Sequence, residues 1–83
     1  MKDRKIHKLK CVQPYFSAVK SGIKTFEWRL NDRDFKVGDR LDLFEYDSEK
    51  NIYSGDHLYK EVTYILELKG TGFVIMSIID AEY

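Results

Sequence analysis

The apolar residues of this chain fall mainly into short segments in which they alternate with polar ones, a pattern typical of half-buried β-strands. Segments of this kind lie at 6–12, 24–30, 40–46 and 58–68, and a fifth candidate strand, 73–79, is apolar on both faces. Only the stretch from Pro14 to Ile23 repeats its apolar residues at helical spacing. We therefore predict an α+β, mostly β fold with about five strands, mostly antiparallel, and one short N-terminal helix of roughly two to three turns. Such a chain would form a small closed or half-closed barrel.

The segment 24–30 carries its apolar and charged residues on opposite faces. Phe26 and Trp28 share one face, and Glu27 and Arg29 share the other. Phe26 and Trp28 could form a stacking platform for a base, but because apolar side chains are the ones usually buried, we expect both in the core and Glu27 at an exposed cleft.

The second half of the chain is predicted to form a hairpin followed by a central strand. Tyr53 lies at the expected hairpin tip, and Gly55 is the expected residue with positive φ there. The even-numbered residues from Val62 to Leu68 should share one face of a long strand. The segment 73–79 is apolar on both faces, which predicts a central strand.

The length and the cysteine content of the chain limit the classes of protein to which it can belong. A chain of 83 residues without repeat or linker is predicted to be a single domain, 1–83, whose core depends on large aromatic side chains. The single cysteine, Cys11, excludes an internal disulfide framework and multi-cysteine zinc sites, and we expect no metal or cofactor. The longest apolar stretch, 73–79, is too short to span a bilayer, and residues 1–10 lack the apolar core of a signal peptide. We expect a cytoplasmic protein without membrane contact.

Charge is segregated along the chain, although the formal net charge is zero. Residues 1–40 carry eleven Lys and Arg against five acids, whereas residues 41–83 carry three against nine. Two interpretations follow from this segregation. One is a basic face suited to an anionic partner such as nucleic acid, and the other is two solvated halves that attract each other.

One cluster of charged residues follows the predicted helix: Lys24, Glu27 and Arg29, with Gly22 before them. Glu27 and Arg29 project from the same face of a regular strand, about 7 Å apart, so their charged ends can meet. Lys24 joins them only if it lies in a turn after Gly22, which a left-handed Gly22 would provide. The result would be a carboxylate between two cations, suited to a nucleotide-like ligand. The alternative is a salt-bridged strand surface.

The segment Gly22-Ile23-Lys24-Thr25-Phe26-Glu27-Trp28-Arg29 resembles the Gly-x-Lys-x-x-Glu-x-Arg signature of ASCH domains, which belong to the PUA-like group of small RNA-associated β-barrels. Four further segments resemble a short bacterial and phage relative of that group, the domain of unknown function 3850: 29–41, 45–47, 53–55 and 62–66. The resemblance covers nearly the whole chain. It implies a PUA-like pseudobarrel with a cleft beside the motif that binds RNA or a modified nucleoside.

Four more residues complete the candidate ligand-binding set. Tyr15, near the helix start, and Tyr53, at the hairpin tip, are candidates for stacking a base. Asn31 and Arg33 are candidates for a second wall of the cleft, although Asn31 could instead cap the backbone of its own turn.

Three classes of function remain open. The first is a binding module for RNA or a nucleotide-like ligand, held by Lys24, Glu27 and Arg29. The second is an ASCH-type hydrolase or nuclease acting on RNA or modified nucleosides, with Lys24 as the activated group and Glu27 as the proton carrier. For this class the resemblance is incomplete, because Glu27 stands where the amidohydrolase pattern has a threonine. The third is an accessory domain that docks another protein through the acidic hairpin around Glu45.

Overall fold

The computed structural model describes residues 4–82, which form five strands and one short helix. In chain order the elements are β1 (Ile6–Cys11), α1 (Tyr15–Lys20), β2 (Phe26–Leu30), β3 (Arg40–Asp47), β4 (Ile52–Leu68) and β5 (Phe73–Asp80). The strands form one curled, half-barrel sheet in the order β1-β3-β4-β5-β2, in which only the β1–β3 pair is parallel. The predicted mostly β half-barrel with one helix is confirmed. β5 has a neighbour on each side, although the central strand is β4.

The core lies between the inner face of the sheet and helix α1. Alternation along β1 buries every second residue, and the Cα partners Leu9 on β1 and Leu43 on β3 are both buried. The buried apolar side chains are Leu9, Cys11, Phe16, Val19, Phe35, Leu41, Leu43, Val62, Val74, Met76 and Ile78. Because burying one large apolar side chain stabilises the fold by roughly 2 kcal/mol, this short list carries most of the hydrophobic stabilisation.

Helix α1 has six residues and is therefore shorter than predicted. The chain leaves it at Gly22, whose amide donates to the carbonyl of Val19 at 3.1 Å. Gly22 has a φ of +86°, which is the left-handed conformation expected for it. The amide of Lys24 then donates to the carbonyl of Ala18 at 3.0 Å and directs the chain toward β2. Within residues 4–82, no helix is long and apolar enough to cross a membrane.

Strand β4 is longer than predicted, because residues 52–57 continue the strand instead of forming a hairpin tip. The turn between β3 and β4 lies at residues 48–51, where Asn51 has a φ of +56°. Gly55 does have a positive φ, +97°, but within β4. Tyr53 is therefore a strand residue, paired with Tyr46, and the predicted tip position is wrong.

A one-residue bulge in β4 overturns the predicted common face from Val62 to Leu68. The register against β5 shifts between Val62 and Tyr64, so an extra residue opposes the partner strand. Alternation reverses after such a bulge. As a consequence Val62 is fully buried, whereas Tyr64 is 63% exposed.

Strand β2 has the opposite sidedness to the one predicted. Glu27 is only 3% exposed and its Cα partner on β5 is the buried Met76, whereas Trp28 is 58% exposed. The expectation that Phe26 and Trp28 lie in the core, and Glu27 at an exposed cleft, is therefore wrong. The physical reason is that a buried carboxylate is tolerated when cations pair with it, and Arg29 on the same face of β2 is one such cation.

A buried pair ties β1 to the turn before β3. Nε2 of His7 lies 2.8 Å from Oδ2 of Asp39, and both residues are buried. Asp39 also accepts hydrogen bonds from the backbone amides of Lys5 and Lys36. Burial by itself raises the pKa of Asp39, but the hydrogen bonds from His7 and the two amides outweigh burial and lower that pKa. The carboxylate thus anchors the start of both strands.

Candidate functional site

The two edge strands of the half-barrel, β1 and β2, flank a gap that we call the seam. In the described chain no backbone ladder joins these strands. The guanidinium of Arg29 on β2 spans the seam, and its Nη2 donates to the carbonyl oxygen of Lys10 on β1 at 2.8 Å. One side chain therefore supplies a hydrogen bond across the gap that the sheet leaves open.

Three charged side chains, Lys24, Glu27 and Arg29, meet beside the seam and are called the seam cluster below. Nζ of Lys24 donates to Oε2 of Glu27 at 3.1 Å, and Nε of Arg29 donates to Oε1 at 2.9 Å. Lys24 also donates to the carbonyl of Phe26 at 2.6 Å. The predicted geometry, in which the turn after Gly22 brings Lys24 to the Glu27 face, is what the structure has. Two cations against one carboxylate leave an excess of positive charge at the seam.

A cleft of about 530 Å³, a volume typical of small-ligand sites, opens onto the seam cluster. Its apolar walls include the rings of Phe26, Trp28 and Phe73, and Trp28 meets Phe73 edge to face at 6.4 Å. The full lining is Lys10, Cys11, Val12, Tyr15, Lys24, Phe26, Glu27, Trp28, Arg29 and Phe73. Such a cleft can hold a planar ring against aromatic walls while an anionic group approaches the cations.

A second depression of about 710 Å³, called the basic groove below, adjoins the cleft and shares Lys10 and Arg29 with it. Its lining is Lys8, Leu9, Lys10, Arg29, Arg33, Phe44, Tyr53 and Gly55. Four of these residues are cationic and none is acidic. The ammonium of Lys10 also lies 4.4 Å from the ring centre of Tyr46. Positive charge is therefore continuous from the seam cluster into the basic groove.

The predicted site residues are divided between these two depressions. Tyr15 lines the cleft, and the ammonium of Lys24 lies 6.0 Å from its ring centre. Tyr53 and Arg33 line the basic groove and not the cleft. Asn31 lines neither, because its side chain accepts a hydrogen bond from the amide of Phe35 at 3.0 Å and caps its own turn.

Several lining residues were not predicted from sequence. Phe26 and Trp28 were assigned to the core, and Phe73 was assigned to a strand covered on both faces. Lys8 and Lys10 alternate with buried residues of β1, so the sequence pattern could have predicted that their side chains point outward. The sequence pattern could not have predicted that they lie near Arg29, because this proximity depends on how far the sheet curls.

The segregated charges of the two halves of the chain meet at specific ion pairs. Lys20 pairs with Asp56 at 2.8 Å, and Arg40 pairs with Glu61 at 2.5 Å. Glu45, on the acidic hairpin, accepts hydrogen bonds from Gln13 at 2.6 Å and from the hydroxyl of Ser54. Within the part of the chain that the structure describes, no group of three or more His, Cys, Asp and Glu side chains could hold a metal ion.

The comparison with protein families decides the membership of this chain. The model of DUF3850, a domain of unknown function, matches residues 6–78, which is most of the sequence. The chain belongs to the DUF3850 family. No curated protein matches the sequence significantly.

Removing the arginine of the seam cluster should destabilise this DUF3850 domain more than removing a surface arginine. Arg29→Ala leaves the buried carboxylate of Glu27 with one cation and removes the bond to the Lys10 carbonyl, so we expect a loss of about 2 kcal/mol. Urea unfolding measures this loss. The matched control is Arg33→Ala, because Arg33 is half-exposed and 4.0 Å from Asp32; its loss should stay below about 0.5 kcal/mol. Equal losses for the two variants would contradict the structural role of Arg29.

The thiol of Cys11 should report the charge of the seam cluster. Its pKa is raised from an ordinary 9.0 to about 11, chiefly by burial and also by Glu27, while Arg29 and Lys24 act in the opposite direction. Because the unfolded chain ionises first, this thiol should cost folding stability as the pH rises from 9.0 toward 11.

Glu27→Gln leaves the two cations unopposed, so the pKa of Cys11 should fall. Thiolate absorbance recorded against pH measures it. Glu45→Gln is the control. Among the groups that shift the pKa of Cys11, Glu45 has the smallest effect, so this substitution should change that pKa much less. An unchanged or higher pKa in Glu27→Gln would show that the carboxylate does not act on the thiol.

Proposed function

We propose that this DUF3850 protein binds RNA or a nucleotide-like ligand at the seam, with a base against the aromatic walls of the cleft and phosphates near the cations. The observation that carries the proposal is that aromatic rings and an excess of positive charge share one concave surface, although the chain as a whole has no net charge.

The cleft supplies surfaces for a base. Trp28 is 58% exposed and Phe26 is 41% exposed, so their rings are available to a ligand. Stacking a base on an aromatic side chain contributes about 1–3 kcal/mol and accepts any base. In this proposal Glu27 is a positioning residue, since its buried carboxylate holds Lys24 and Arg29 at the cleft rather than facing the ligand.

The basic groove favours a polymer over a free nucleotide. Lys8, Lys10 and Arg33 extend the positive charge of the seam cluster beyond the space that a single nucleotide occupies. Cations at successive positions along a groove suit the phosphates of a strand that continues past the cleft. Tyr53, in the same groove, offers a second ring for stacking.

The resemblance of the segment 22–29 to the ASCH signature supports the same proposal, because it implies a PUA-like domain with a ligand cleft beside that motif. DUF3850 membership itself leaves the function open. An RNA ligand and a single, buried free thiol also suit the reducing cytoplasm, where we propose the protein acts.

Binding is favoured over hydrolysis by the contacts of Lys24. Its ammonium donates hydrogen bonds to the carboxylate of Glu27 and to the carbonyl of Phe26. These two bonds hold the ammonium in place, as suits a hydrogen-bond donor to an anionic ligand. Two of the three N–H groups of the ammonium are used in this way, which leaves the third to donate to an anionic ligand, whereas the proposed alternative, a hydrolase or nuclease, would need Lys24 as the reacting group.

The proposal predicts salt-dependent binding of single-stranded RNA. A fluorescently labelled mixed-sequence RNA of roughly ten nucleotides should bind at low salt, and log affinity should fall linearly with log salt. Arg33→Ala should weaken binding severalfold and reduce the salt slope by about one, because it removes a phosphate contact. Fluorescence anisotropy measures both quantities.

The control for this experiment is Lys50→Ala, which removes a cation that lines neither the cleft nor the basic groove. Its affinity should match that of the unmodified protein. Absence of binding at low salt, or equal weakening in Arg33→Ala and Lys50→Ala, would contradict the proposed site. Cleavage of the RNA would instead favour the nuclease.

A further inference from the structure

The outer surface of β4, β5 and β2 is an apolar sheet face that no described part of the chain covers. Trp28 is 58% exposed, Leu30 50%, Leu66 48% and Tyr64 63%. β5 was expected to be covered on both faces, yet Phe73 on its outer side is 41% exposed. We call this surface the outer face.

The strand register arranges the outer face as three rows of three residues. The rows are Tyr64–Ser77–Phe26, Leu66–Ile75–Trp28 and Leu68–Phe73–Leu30. None of the nine positions is charged, and eight of them are apolar or aromatic. A sheet face that is exposed to water normally carries polar residues. The apolar composition of the outer face therefore indicates a surface that becomes covered.

The exposed area is close to what a stable interface requires. With large side chains of roughly 200 Å² each, the exposed fractions of Phe26, Trp28, Leu30, Tyr64, Leu66 and Phe73 give an apolar area of about 600 Å². An ordinary monomer has a largest apolar patch of about 300–600 Å², and a standard interface buries about 800 Å² on each partner. The outer face therefore lies at the upper end of the first range, and two such faces would together bury about 1,200 Å², the lower limit for a specific interface.

The chemistry of the outer face selects its occupant. Without a cation among its nine positions, it cannot neutralise the phosphates of a nucleic acid. Among the other exposed apolar residues of the described chain, Ile6 lies on β1, whereas Ile23 and Val37 lie in loops, so these three form no comparable face. Another copy of the chain presents an apolar sheet of the same breadth, which can pack face to face across a two-fold axis.

We propose that two copies of this chain associate through their outer faces to form a dimer. Phe26, Trp28 and Phe73 belong to both the outer face and the cleft, so a second copy and a base in the cleft would compete for the same rings. This inference does not depend on the nature of the ligand.

Sedimentation equilibrium of the full chain tests the proposal. The mass should approach twice 9.9 kDa at high protein concentration and fall toward 9.9 kDa on dilution. Leu66→Lys places a charge at the middle row of the outer face, away from the cleft, and should weaken association by roughly tenfold or more. If Leu66→Lys fails to fold, Tyr64→Lys makes the same test at a more exposed position.

The matched control is Ile52→Lys, because Ile52 is 54% exposed and lies on the same strand but outside the outer face. It should dimerise like the unmodified chain. A monomer at every concentration, or equal weakening by Leu66→Lys and Ile52→Lys, would overturn the proposal. So would a monomer whose RNA binding is lost in Leu66→Lys, because the outer face would then be a nucleic-acid platform.

Discussion

The pairing of the buried Glu27 carboxylate with Lys24 and Arg29 is the interaction on which the rest of the seam depends. A carboxylate at 3% exposure is costly unless cations and hydrogen bonds replace the water that it has lost. Both of its oxygens accept a hydrogen bond from a cation. Since Arg29 also bonds to the carbonyl of Lys10, the same guanidinium neutralises the carboxylate and links the two edge strands.

Placing Glu27 inside determines what β2 presents outside. Alternation turns Phe26, Trp28 and Leu30 toward the surface once Glu27 and Arg29 point inward. These side chains supply aromatic walls to the cleft and one edge of the outer face. The seam cluster therefore accounts for two properties at once, the positive charge near the cleft and the apolar surface next to it.

Much of this architecture follows from local patterns, and the failures have a common cause. The alternation of apolar and polar residues predicted the strands. The spacing of Lys24, Glu27 and Arg29, together with a turn at Gly22, predicted that these three charged side chains meet. Which face of β2 is buried could not be predicted. The rule that apolar residues are buried does not consider that Lys24, in the preceding turn, pairs with the Glu27 carboxylate and so allows its burial.

Long-range geometry explains the other errors. The bulge after Val62 reverses the outward face of β4, and no residue type in that segment marks it. The basic groove joins β1 to Arg33 through the curl of the sheet, which depends on all five strands together. Sequence reasoning identified the charged cluster but placed its aromatic neighbours on the wrong side.

The central claim is that a nucleic-acid ligand occupies the cleft above the seam cluster. Trp28 is the only tryptophan of the chain and lines that cleft, so its emission reports occupancy of the site directly. At fixed protein concentration, titration with single-stranded RNA should quench this emission to saturation, because a base stacks against the indole. Emission that stays constant while the RNA binds would place the ligand elsewhere and contradict the account.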